Sequence, residues 1–313
     1  MSAHKVNLIQ SNRTDLYQEK VVEAYDDPPE IWKKVLGNEG LGFQFGLFDA
    51  AELAQGPKPG PVGPSELRHF DRQLELAGLS GPGRPRLNRI LDLGCGWGAI
   101  TEHLAKRFPE CPCIDAINIS QSQLDYCVKS LPADLSARVN LYKCNGQDVD
   151  LIPDPAIPYD LVVARGAYTH FLPQVFEDSV SRVVQRLAPN GLFITSDLLY
   201  RVDSLENYES YIPDTVDRFA SGNRKTVDYY VGVLKKNGLA FHDFRLLPSA
   251  AEQVHWFRTV QLNIEQNFPP DVDGPIQELH DVTRNCAHIV AEDKVGVHSV
   301  IAVHDTARGA STL

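Results

Sequence analysis

The chain has 313 residues, 43% of them hydrophobic, enough to bury a full core as one large domain or as a domain with a lid. A formal net charge of −11, with Lys and Arg scattered rather than clustered, argues against a nucleic-acid partner, because phosphate recognition draws on grouped cations. No run of about 18 apolar residues offers a membrane span, and the opening MSAHKVNLIQSNRTD lacks the apolar stretch of a secretory signal, so a cytoplasmic protein without membrane insertion is expected.

In chain order, residues 1–86 read as an N-terminal cap segment with helices. GPKPGPVGP at 56–64 and LSGPGRPRL at 79–87 are too rich in Gly and Pro to continue a helix or central strand and read as loops. Between them, SELRHFDRQLELAG opens with Ser65 as an N-cap, carries Leu67, Phe70, Leu74 and Leu76 at helical period, and closes at Gly78.

Residues 87–200 alternate short apolar runs with amphipathic helices. The expected strands are Arg89–Leu93, Cys113–Ile117, Val139–Lys143, Leu161–Ala164 and Leu192–Ser196, with helices near 98–108, 121–130 and 174–188. Residues 201–313 add strands at Leu239–Leu246 and Val297–Val303, with about 50 residues between them that read as inserted lid helices. The sum is an α/β fold: seven strands, mostly parallel, with helices on both faces. The six cysteines, at 95, 111, 113, 127, 144 and 286, follow no paired-ligand or disulfide spacing, so free thiols and no metal site are expected.

The strongest chemical signal is ILDLGCGWGAITEHLAKRF, a strand that ends in Asp92 and runs through Gly94, Cys95, Gly96 and Gly98 into a helix. Glycines there allow a tight turn and close approach of backbone to a ligand. A dinucleotide turn is G-x-G-x-x-G and seats a pyrophosphate; this one is D-x-G-x-G-x-G, and its carboxylate would repel a pyrophosphate and suit an ammonium group. On this motif the chain resembles the class I methyltransferases, over roughly residues 87–200. The resemblance implies a Rossmann-like fold and S-adenosyl-L-methionine as cofactor.

After the second strand, AINISQSQLDYC lacks the acidic residue common in that class and is similar to the cyclopropane-fatty-acid-synthase-like branch, which includes tocopherol and natural-product methyltransferases. That likeness assigns Asn118 and Gln123 to the ribose, with Ile119 beside them as a cofactor-binding residue and Ser120 shaping the turn; the plainer reading is a polar helix start. YKCNGQDVDLIP falls where the family carries its adenine-side loop, giving Gln147 and Asp148 to the adenine edge, with Asn145 at the position of the common acid. In DLVVARGAYTHF, the backbone around Arg165 and Gly166 is expected to face the methionine part. The N-terminal pair Tyr25-Asp26 and the group Phe43-Gln44-Phe45-Gly46 resemble the family's cap over the active site; the same rings, with Phe48, also read as ordinary core contacts.

His170 is the first candidate general base, because it follows the fourth strand where cofactor and acceptor meet and histidine titrates near neutral pH; as a structural residue it would cap the next helix. Tyr168 and Tyr25 are candidates to orient the acceptor. Val254, Phe257, Val260, Ile264 and Phe268, beside His255 and Trp256, form a helical stripe that serves as packing or as a lid, and Tyr208 and Tyr211 are candidate acceptor-wall residues. The expected activity is methyl transfer to a small, partly lipophilic metabolite of secondary metabolism. The alternatives are lipid modification of the cyclopropane-synthase kind and a non-methylating rearrangement. A homo-oligomer is compatible with the sequence and not specified by it.

Overall fold

The computed structural model describes residues 5–37, 41–201 and 224–305, and the structural statements below concern these residues. The expected acceptor-wall residues Tyr208 and Tyr211 lie outside them.

Eight strands form one sheet: β1 Val6–Leu8, β2 Arg89–Leu93, β3 Cys113–Asn118, β4 Val139–Lys143, β5 Tyr159–Arg165, β6 Leu187–Tyr200, β7 Leu239–Leu246 and β8 Val295–His304. Their spatial order is β1-β4-β3-β2-β5-β6-β8-β7. Strands β1 to β6 run parallel, and β8 is inserted antiparallel between β6 and β7. All five residues of β2 are buried, as a central strand covered on both faces requires.

Seven strands were expected and eight are present. The additional β1 is a three-residue edge strand, parallel to β4, whose Leu8 stays largely exposed, so it carries no burial pattern a sequence could display.

The helices, in chain order, are α1 Gln18–Ala24, α2 Pro29–Leu36, α3 Ala50–Gln55, α4 Gly63–Leu76, α5 Ala99–Arg107, α6 Gln121–Ser130, α7 Ala133–Ser136, α8 Pro173–Arg186, α9 Val227–Lys236, α10 Ala250–Asn267 and α11 Gly274–Ala291. Helix α4 begins at Gly63 rather than at an Ser65 cap: Ser65 lies in the first turn, where its Oγ donates to the Val62 carbonyl at 2.7 Å. Its buried face is partly polar, with Glu66, His69 and Gln73 beside Phe70 and Leu74, while Leu67 and Leu76 sit half-buried.

Helices α10 and α11, between β7 and β8, pack on the cap rather than stand apart from it. Trp256, Val260 and Ile264 share a core with Trp32, Val35 and Leu36 of α2. Asn263 bolts the contact by donating to the carbonyls of Val35 at 3.0 Å and Gly60 at 2.9 Å. No helix among the described residues is long and apolar enough to cross a membrane.

Topology positions the site. The chain leaves β2 to form β3 and β4 on one side, then crosses to form β5 on the other, so the connections diverge at the carboxyl end of β2 and open a crevice there.

Candidate functional site

The glycine turn after β2 forms one wall of that crevice. The Gly94 and Cys95 amides both donate to the Ile117 carbonyl at 3.0 Å, tying the turn to β3. Gly94 has φ +76° and Gly98 φ +87°, left-handed values that favour glycine; a Cβ would meet Ala167 Cβ at 2.7 Å and Cys127 Sγ at 2.9 Å respectively. Gly98 ends the turn as the N-cap of α5 and does not line the cavity, so its role is the bend.

The cavity above the turn is lined by Asp92, Gly94, Cys95, Gly96, Asn118, Ile119, Gln123, Asn145, Arg165, Gly166, Tyr25 and His170 among the expected residues. Asp92 is buried and accepts from Thr101 Oγ1 at 2.6 Å; burial pushes its carboxyl up to about 6. Asn118 donates to Gln123 Oε1 at 2.7 Å and accepts from the Ile119 amide at 2.8 Å, so this amide pair is pre-set. Ser120 caps α6 through the Gln123 amide.

Two expected adenine contacts are corrected. Gln147 and Asp148 lie in the 3₁₀ turn Gly146–Leu151 and do not line the cavity. The N-terminal strand-to-helix segment covers them: Arg13 Nη1 donates to the Gln147 carbonyl and to Asp148 Oδ1, both at 3.1 Å, and Ser11 Oγ donates to Asp148 Oδ1 at 2.7 Å. Asn145 remains in the wall, with its Oδ1 accepting from the Gln147 amide at 3.1 Å.

Tyr168 is also corrected. It is fully buried against Phe171, Phe176, Phe193 and Tyr230, away from the cavity. It shares the 3₁₀ turn Tyr168–His170 with His170, and two steps at three residues per turn separate the side chains by roughly 240°, so one faces the core when the other faces the crevice. His170 does face it, with Nε2 3.1 Å from the Tyr25 hydroxyl. The Tyr25 ring stacks on Trp32 at 5.5 Å and meets Phe43 and Trp97 edge-on. Phe43 and Trp97 line the cavity, whereas Phe45 and Phe48 pack on Trp256 and His255, and no residue of α10 or α11 lines it.

Arg165, which lines the cavity, has two buried partners that sequence reasoning missed, Glu66 and His69. The Arg165 guanidinium, brought down to about 10 by burial against the opposing pull of Glu66 and Asp92, has Nη2 2.9 Å from His69 Nδ1. Glu66 accepts from the Gln44 amide and Trp256 Nε1, each at 3.1 Å, and burial pushes it up to about 7. Burial, with the charge of Arg165, holds His69 well below its ordinary value and keeps it neutral. The available signal was three polar residues, Glu66, His69 and Gln73, on the same helical face as Phe70 and Leu74. Asp197 was missed as well; it accepts from the Thr169 amide at 3.1 Å and Tyr230 hydroxyl at 2.8 Å, fixing the turn that carries His170. Asp15 lines the cavity without any motif around it.

Among the described residues no group of three or more His, Cys, Asp or Glu is arranged to hold a metal ion. Residues 90–191 match the family model for a methyltransferase domain. Over that span the chain is similar to methyltransferase domains. It is 29% identical over 197 residues to the human mitochondrial ubiquinone biosynthesis O-methyltransferase, covering 58% of this chain and 50% of that protein. The chain spans only 38% to 64% of the length of three curated relatives it matches. A cyclopropane synthase from Mycobacterium tuberculosis superposes on this chain with a TM-score of 0.75 at 16% identity, covering 93% of this chain and all of that one. A geranyl diphosphate C-methyltransferase from Streptomyces coelicolor, solved with S-adenosyl-L-homocysteine, gives a TM-score of 0.68 at 14% identity, covering 94% and 100%. These likenesses show the fold, the Rossmann-like class I methyltransferase architecture expected from the glycine turn.

Proposed function

We propose that this chain binds S-adenosyl-L-methionine in the crevice above Gly94 and Gly96 and transfers its methyl group to a small, partly lipophilic secondary metabolite. The observation that carries the reading is convergence: Asp92, Gly96, Asn118, Gln123, Asn145 and Gly166, from four separate βα connections, line one cavity together with Tyr25 and His170.

The lining fits the cofactor's chemistry. Asp92 offers a carboxylate to an ammonium group, the Asn118–Gln123 amides offer hydrogen bonds to ribose hydroxyls, and the faces of Tyr25, Phe43 and Trp97 suit a sulfonium. When bound, the cofactor supplies a methyl group already activated by positive sulfur. What remains for the protein is to align the acceptor and exclude water, which the aromatic cap does, and to remove a proton where the acceptor carries one. His170 is the base in this reading, with Tyr25 holding its ring through the 3.1 Å contact.

The test is incubation of the purified protein with labelled S-adenosyl-L-methionine and panels of lipophilic phenols, amines and enols, following S-adenosylhomocysteine release and product mass. Methylated product supports the reading. Binding with no methylated product against any panel would favour a non-methylating role, and no binding at all would sink the proposal.

A further inference from the structure

Resting on that cofactor reading, we infer that Asp15, delivered by the N-terminal segment, is the acceptor for the 6-amino group of the adenine ring. A buried adenine carries two N–H donors on this amine, and each needs an acceptor. The wall formed by Cys144, Asn145 and Gly146 has little to offer: Asn145 Oδ1 accepts from the Gln147 amide, the Asn145 carbonyl from the Asp148 amide at 2.9 Å, and the Gly146 carbonyl from Ser179 Oγ at 2.8 Å. The Asn145 side chain therefore presents its donor end. That end points at Asp15, with Nδ2 2.9 Å from Asp15 Oδ2 and 2.8 Å from Gln18 Oε1.

Asp15 and Asp92 are the two carboxylates among the described residues that line the cavity. Asp92 lies at the end of β2 and is held by Thr101, with β3 between β2 and the strand β4 that leads to Asn145. Asp15 accepts from the Tyr17 amide at 3.0 Å through Oδ1 and from Asn145 through Oδ2, and a carboxylate has about four acceptor positions, so both oxygens retain capacity. In the loop after β4, Asn145 holds a carboxylate that comes from a segment 130 residues earlier in the chain.

Arg13 fixes that segment. Its guanidinium grips Asp150 with both ends, at 2.6 and 2.8 Å, while also bonding Asp148, so residues 11–18 are fastened to the turn that follows Asn145. Asp15 thereby acts as a specificity-determining residue: it favours a purine with an amine at position 6 over one with a carbonyl there.

The experiment measures affinity of the full chain for S-adenosylhomocysteine and for S-inosylhomocysteine, which has oxygen in place of the amine, by calorimetry on the unaltered protein and on Asp15→Asn. The asparagine is isosteric but offers one acceptor oxygen where the carboxylate uses two, for the Tyr17 amide and for Asn145 Nδ2. The unaltered protein is expected to prefer the adenosyl compound by roughly ten- to hundredfold, and Asp15→Asn to lose most of that preference. An unchanged preference in Asp15→Asn, or an equal loss of affinity for both compounds, overturns the assignment. An unaltered protein that binds neither compound overturns the cofactor reading itself, and this inference with it.

Discussion

The Tyr25 hydroxyl and His170 Nε2 stand 3.1 Å apart across a sequence separation of 145 residues, joining the N-terminal cap to the loop after β5. A pair coupled this way is expected to act as a unit. His170→Ala should lower turnover by roughly 10²- to 10⁴-fold while leaving cofactor affinity little changed. Tyr25→Phe should lower it less, and the double variant should be no slower than His170→Ala alone, as non-additivity within a shared contact demands. Steady-state kinetics on the three variants check this, and full activity in His170→Ala removes it from the chemistry.

Asp92 makes a pH prediction with a definite sign. Burial raises its carboxyl to about 6, so in the ligand-free protein the ionised form that attracts an ammonium group is lost as pH falls through that value. Affinity for S-adenosylhomocysteine should be flat above about pH 7 and fall toward tenfold per unit below about 6. Asp92→Asn should bind weakly and lack this inflection. Calorimetry between pH 5 and 8 on both proteins reads the difference, and a parallel pH profile in Asp92→Asn would show that another group, such as Glu66, carries the effect.

Glu66 links pH to stability. Its carboxyl is raised from 4.5 to about 7, mainly by burial, so between those values the folded chain holds a proton that the unfolded chain has released. Stability contributed through this group is full at low pH, declines as pH rises from 4.5 to 7 and levels off beyond. The interval corresponds to roughly 3 kcal/mol. Denaturant unfolding of the unaltered protein and Glu66→Gln at pH 5 and pH 8 should show the unaltered protein losing about that much relative to the variant at the higher pH.

The glycine turn and its flanking strands were legible because local physics dictates them: β2 is an apolar run buried on both faces, and left-handed φ values at Gly94 and Gly98 select glycine. Strand β6 begins five residues earlier than expected, at Leu187, because Ala188–Gly191 contains a Pro-Asn-Gly run that reads as a turn yet lies within the strand's span beside β5. Asp15 was not legible, since its nearest sequence context, a bond from the Tyr17 amide, is that of an ordinary helix approach. Gln147 and Asp148 fall where the motif places them in the chain, yet outside the cavity wall, with a distant arginine on the Gln147 carbonyl and on Asp148 Oδ1.

That arginine yields the last prediction. Arg13 is partly exposed, and its pairs with Asp148 and Asp150 should contribute at most about 1 kcal/mol to global stability. Its larger effect is to hold residues 11–18 against the wall of the cavity, and through α1 to hold Tyr25 in place. Arg13→Ala should therefore leave the unfolding transition nearly unchanged while weakening S-adenosylhomocysteine binding and speeding proteolysis between residues 5 and 25. Arg13→Lys should rescue only part of the loss, because an ammonium group cannot grip both oxygens of Asp150 in the planar fork that guanidinium provides. Since exposed ion pairs are screened by salt, affinity in the unaltered protein should decline between low and high ionic strength more steeply than in Arg13→Ala. Equal salt slopes, with equal proteolysis rates, would show that the segment stays closed without the latch.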